Sequence, residues 1–117
     1  MNYEGIERRR WPRVQVQLPL RYREVGEFGQ LPMDSETKDI SVGGVRFTAD
    51  KFLPKESRLV VSLNLENLSG VKATIKVVWT SRDTRTNMYE IGAQFDNVPS
   101  EAKNEIASLV RRNLNYS

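Results

Sequence analysis

Leu59-Val60-Val61-Ser62-Leu63-Asn64-Leu65 and, past the turn Asn67-Leu68-Ser69-Gly70, Val71-Lys72-Ala73-Thr74-Ile75-Lys76-Val77 are the stretches that decide the fold. In both, the core-forming residues recur at every second position, the period of a strand with one buried face rather than of a helix. The polar break with its glycine suits a hairpin turn. The same period recurs upstream, where Val45, Phe47 and Ala49 alternate with Arg46 and Thr48 after the turn Gly43-Gly44. A short run from Glu36 to Ser41 leads into that turn. Nearer the amino terminus Val14, Val16, Leu18, Leu20 and Tyr22 share one face, opposite Gln15, Gln17, Arg21 and Arg23. Pro19 marks an edge or a bulge there. Val25 to Ser35, with Gly26, Gly29 and Pro32, reads as a loop, and Phe52 to Glu56 as a break. Trp79 and Trp11 are candidate stacking surfaces, but the stripe of Val77 extends to Trp79, which is therefore expected in the core rather than as a ligand platform. After a polar loop at Asp83 to Asn87, Tyr89, Ile91, Ala93 and Phe95 complete the series.

Six connected antiparallel strands within 117 residues would leave open edges unless they curled into a barrel. The expected fold is mainly β, a six-stranded antiparallel β-barrel with one carboxy-terminal α-helix. That helix is read from Ala102, Ile106, Leu109, Val110 and Leu114, which keep helical spacing. Ser100 is placed to cap it, Glu101 suits its first turn and Arg111-Arg112 its last. A single domain over residues 1–117 is expected, with an arginine-rich arm at about 1–13, the barrel at about 14–96 and the helix at about 100–114.

Composition narrows the chemistry. A hydrophobic fraction of 38% and a charged fraction of 28% describe an ordinary globular chain. With no cysteine and no histidine, thiolate nucleophiles, disulfides, zinc–thiolate sites and histidine-based catalysis are excluded. Neither a carboxylate pair, a phosphate-cradling glycine loop nor a metal-ligand cluster is evident, so no enzyme activity, cofactor or metal is expected. No apolar run is long enough to span a bilayer, and MNYEGIERRRWP lacks the apolar segment of a secretory signal. A cytoplasmic protein without a membrane partner is expected.

The net charge of +3 conceals twelve arginines against six lysines, and six of the arginines fall between Arg8 and Arg23. The planar guanidinium fork suits phosphate oxygens and the Hoogsteen edge of guanine, so an anionic, nucleotide-like partner is indicated. Two clusters stand out. Arg8-Arg9-Arg10-Trp11-Pro12-Arg13 precedes the first strand; Pro12 disfavours helix at Trp11, and the segment is expected to be mobile without a ligand or simply a solvated basic arm. Asp39-Ile40-Ser41-Val42-Gly43-Gly44 reads in one way as a hairpin turn, with Asp39 and Ser41 satisfying backbone groups and glycines at positive φ. In the other way, Asp39 accepts from a ring N–H and an amino group, Ser41 offers a hydroxyl, and Gly44 lets a planar ligand approach.

Arg9-x-x-x-Arg13 followed by Asp39-x-Ser41-x-x-Gly44 resembles the paired signature of the PilZ domain, a bacterial receptor for the second messenger cyclic di-GMP. Gly92-Ala93-Gln94-Phe95 is similar to a further family feature, and the likeness runs from about Glu7 to Leu114. The resemblance implies that Arg9 and Arg13 grip phosphates and guanine edges, that Asp39 reads a Watson–Crick edge, that Ser41 hydrogen-bonds nearby and that Gly44 keeps the surface open. Arg8, Gly43 and Arg46 are additional candidate contacts, Arg8 in support of a second, stacked ligand. It further implies that ligand closes the arm and presents a new surface to an unidentified downstream protein effector, the chain being a monomer or weak dimer. Two alternatives remain open. One is a ligand-free interaction adaptor with the same barrel, and the other a barrel for single-stranded nucleic acid, which the apolar placement of the aromatics disfavours.

Overall fold

The computed structural model describes residues 12–26 and 29–114. The chain runs through β1 (Val14–Gln15), β2 (Pro19–Glu24), β3 (Met33–Ile40), β4 (Gly44–Ala49), β5 (Arg58–Leu65), β6 (Leu68–Asp83), β7 (Met88–Asn97) and α1 (Ser100–Leu114). The sheet order β1-β3-β2-β5-β6-β7-β4, with β3 also paired to β4, closes the ring. Because β1 and β2 lie consecutively along the same edge of β3, they act as one interrupted strand. The result is the closed six-stranded antiparallel barrel with a carboxy-terminal helix that the alternation predicts.

The interruption falls at 16–18, just ahead of the expected position. Thr37, 1% exposed, stitches it: Leu18 N–H donates to Thr37 Oγ1 at 2.9 Å, and the hydroxyl donates onward to the Val16 carbonyl. A buried hydroxyl that satisfies both a donor and an acceptor removes the cost of breaking the ladder. Pro19, lacking an N–H, then opens β2, the position in a strand that tolerates it.

The inward side chains form one core in which Ile40, Phe47, Leu59, Val61, Leu63, Ile75, Val77 and Ile91 are completely buried. Tyr22 and Phe47 pack with ring centroids 5.3 Å apart. Burial, with the nearby Asp50 carboxylate, pushes the Tyr22 hydroxyl up to about 12. Helix α1 lies against β1 and β6 and buries Ala102, Ile106, Leu109 and Val110. Its polar face is tied to the β5–β6 turn by Arg112, which bonds Glu66 in the turn at 2.8 Å and Glu105 on the helix itself at 3.2 Å.

Two boundaries differ from expectation. Strand β3 begins at Met33, inside the segment read as a loop, because its ladder to β2 imposes extension on a polar run that shows little alternation. Strand β6 spans Leu68 to Asp83, so it and β7 extend as a long hairpin.

Candidate ligand site

Strands β3, β4 and β7 bring the second cluster together on the outer surface. Asp39 on β3 stands directly across from Arg46 on β4, just after a register shift between Thr37 and Asp39. Arg46 Nε donates to Asp39 Oδ2 at 2.8 Å, and Arg13 Nη1 donates to Asp39 Oδ1 at 3.3 Å. Arg46 Nη1 also reaches Glu90 Oε1 at 3.1 Å, and Lys38 Nζ reaches Glu90 Oε2 at 3.0 Å. Thus Arg13, Asp39, Arg46, Glu90 and Lys38 form one chain of alternating charge. The Asp39 side chain is only 10% exposed against 34% for Arg13 and 26% for Arg46, so these bonds are shielded from water. The Lys38 hydrogen bond, with lesser help from Arg46, lowers the Glu90 carboxyl below the usual glutamate range.

The β3–β4 turn is built by Ser41. Its Oγ accepts from Gly43 N–H and Gly44 N–H, each at 3.1 Å, while Ser41 N–H donates to the Gly44 carbonyl at 2.9 Å. Neither glycine has positive φ; among the described residues that region is occupied by Gly26, Gly29, Gly70, Glu56 and Asn87. The need for glycine at 44 is therefore one of space. Gly44 is buried against β7, and a methyl group there would overlap the Ala93 backbone carbonyl. Accepting two N–H bonds leaves the Ser41 hydroxyl proton available for donation.

Trp79 departs from the expected core position. The pairing passes from Val77↔Ala93 to Trp79↔Gly92, so Val78 is an extra residue on β6. One inserted residue reverses the inward–outward phase of the residues beyond it. Val77 is fully buried, whereas Trp79 is turned outward at 37% exposure. Its indole lies over Gly92, where an added methyl group would collide with the ring.

Two adjoining depressions share Arg13 and Trp79 as walls. One, of about 650 Å³, is bounded by Ser41, Gly43, Gly44 and the β7 segment from Gly92 onward. The other, of about 540 Å³, is bounded by Asp39, Arg46 and Gln15. Of the sequence-predicted candidates, Arg13, Asp39, Ser41, Gly43, Gly44 and Arg46 all line this surface. Arg8, Arg9 and Trp11 lie outside the described residues. Sequence alone does not single out Glu90 and Lys38, because only the fold brings Glu90 to Arg46 and Lys38 to Glu90. Among the described residues no group of carboxylates suited to a metal ion is present, and no helix is long and apolar enough to cross a membrane.

The sequence matches the family model described as the PilZ domain over residues 7–112. The chain belongs to the PilZ domain family. Its fold is also that of solved PilZ-containing structures. The PilZ domain with c-di-GMP of YcgR from Escherichia coli is 14% identical with a TM-score of 0.69, the alignment covering 93% of each chain. The inhibitor of motility MotI/DgrA from Bacillus subtilis is 17% identical with a TM-score of 0.70, covering 92% of this chain and 52% of that one. The MrkH–c-di-GMP complex from K. pneumonia is 19% identical with a TM-score of 0.70, covering 92% of this chain and 53% of that one. This PilZ chain thus spans about half the length of MotI/DgrA and MrkH. No curated protein sequence matches it.

Proposed function

We propose that this chain is a cyclic di-GMP receptor and not an enzyme, acting through Arg9, Arg13, Asp39, Ser41 and Gly44. Membership of the PilZ family supports the ligand, and similar folds in YcgR and MrkH have been solved with c-di-GMP. The single observation that carries the site assignment is the meeting of Arg13 and Asp39. They come from motif halves separated by 26 positions, yet bond at 3.3 Å beside the Ser41–Gly44 turn. In this reading Arg13 leaves Asp39 for a phosphate, Asp39 accepts from a guanine Watson–Crick edge, and Ser41 donates its hydroxyl proton. Trp79, exposed between the two depressions, offers a face on which a base stacks. Gly43 and Arg46 border the ligand, and Arg8 supports a second stacked molecule.

Function follows from differential contact. A dianionic ligand gains charge-assisted bonds from the arm only when the arm closes over it, and that difference in free energy shifts the population. The closed surface is then read by a downstream protein effector in the cytoplasm. The test is isothermal titration with cyclic di-GMP, with GMP, cyclic di-AMP and a short single-stranded RNA as controls. Selective saturable binding is expected, and its saturation point gives one or two ligands per chain. Arg13→Ala is expected to lose about 2–5 kcal/mol, roughly 30-fold or more in affinity. A variant that binds within about twofold of the original, well under 1 kcal/mol, rejects the assignment of Arg13. RNA binding in place of cyclic di-GMP binding would make the barrel a nucleic-acid module.

A further inference from the structure

The Asp39 carboxylate is held unequally by its two guanidinium partners. Arg46 Nε meets Oδ2 at 2.8 Å, while Arg13 Nη1 meets Oδ1 at the longer 3.3 Å. Arg46 sits in the middle of β4, paired to β3 on one side and to β7 on the other, whereas Arg13 precedes the first strand. The residue opposite Arg46 on β7 is Gly92, whose missing side chain is replaced by the Trp79 ring. The guanidinium therefore reaches along the strand to Glu90 at 3.1 Å, and Glu90 is itself fixed by Lys38 at 3.0 Å. Two anchored ends hold the planar fork in one orientation, a constraint that a single ion pair would not impose.

We infer that Arg46, braced by Glu90, is a positioning residue that sets the plane of the Asp39 carboxylate for reading a guanine edge. This rests on the cyclic di-GMP reading above and goes beyond it by dividing the two oxygens of Asp39. The Oδ1 bond to Arg13 is exchangeable, and the ligand takes that place. The Oδ2 bond to Arg46 persists, leaving that oxygen a further lone pair for the second guanine donor. The bound carboxylate then meets the ring N–H and the exocyclic amino group together. Selectivity for guanine then depends on Arg46 and Glu90 as well as on Asp39, which alone of the three meets the guanine edge.

Cyclic di-IMP, whose bases lack only the exocyclic amino group, isolates that contact. Titration of the original protein is expected to favour cyclic di-GMP over cyclic di-IMP by about tenfold or more, as for a hydrogen bond to a charged acceptor. Arg46→Lys keeps the charge but not the fork, and Glu90→Ala removes the brace. Each is expected to bring the ratio to within about threefold while its melting curve remains cooperative. A purely structural role would weaken both ligands alike and leave the ratio unchanged, and that result in the folded variants overturns the inference. Equal binding of both ligands by the original protein also overturns it while leaving cyclic di-GMP as the ligand. Binding of neither ligand defeats the receptor reading itself.

Discussion

Along the β5–β6 side of the barrel, Leu59, Val61, Leu63 and Ile75 are fully buried, and the pairing runs in unbroken register from Arg58↔Lys76 to Leu63↔Val71. Its outer face shows separate ion pairs, such as Arg58 with Asp96 and Lys76 with Glu56. Along the β3–β4–β7 side, the inner face is equally apolar, with Ile40, Phe47 and Ile91 fully buried. Its outer face instead joins Arg13, Asp39, Arg46, Glu90 and Lys38 into one network. It also borders the Trp79 bulge and contains two glycines with no room for a methyl group. Both sides close the barrel equally well, so closure does not account for the second pattern. In the function proposed above this side is the recognition surface, because a linked charge network and a displaced aromatic are features that binding uses.

Substitutions should separate the two sides. Leu63→Ala on the regular side leaves a cavity in a fully packed core, and denaturant unfolding is expected to show a loss of about 2–5 kcal/mol. Ligand affinity of the folded variant should stay the same. Gly44→Ala on the other side forces a methyl group into the Ala93 carbonyl, and only separation of β4 from β7 relieves it. A loss of about 1–3 kcal/mol is expected, together with weaker ligand binding. If both variants affect stability and binding in the same proportion, the contrast between the sides is broken.

Gly92→Ala sharpens the same contrast at smaller cost. Its methyl group meets a side chain and not backbone, so Trp79 can swing away. A modest destabilisation of about 1 kcal/mol and a change in tryptophan emission are expected. An unaltered emission spectrum would mean that the indole does not rest on Gly92.

The smallest effect concerns acid. The Glu90 carboxyl lies below its ordinary value of 4.5, chiefly through the Lys38 hydrogen bond. A depressed native value gives stability that is fully present above the unfolded value and is lost as pH falls through the native one. Glu90→Gln should therefore lower the melting temperature near neutral pH, and the gap should close as pH drops below 4.5. A gap of constant size across that range would show that the charge of Glu90 is not what matters.

The regular side was legible from sequence because its alternation is complete: Leu59 to Leu65 and Val71 to Val77 need no knowledge of their neighbours. The barrel follows from that alternation, and the helix from the separate helical spacing of Ala102, Ile106, Leu109, Val110 and Leu114. The start of strand β3 is hidden because Met33-Asp34-Ser35-Glu36 offers no apolar stripe, and its extension is imposed by the ladder to β2. A period of two places Trp79 in the core because it continues blindly through a bulge, and Val78 gives no warning that it is the extra residue. Asp39, Ser41 and Gly44 stood out as a motif, yet Gly44 is required by the approach of β7, a reason that the local sequence does not contain. Glu90 and Lys38 are 52 positions apart and could be joined only by register.

The most direct measurement is amide and indole NMR during titration with cyclic di-GMP. Shifts are expected to concentrate at Arg13, Ser41–Gly44, Arg46, Gly92 and the Trp79 indole N–H, with the amides of the regularly paired stretches Arg58–Leu63 and Val71–Lys76 unmoved. Shifts centred on those two stretches, or none at saturating ligand, would contradict a recognition surface on the β3–β4–β7 side.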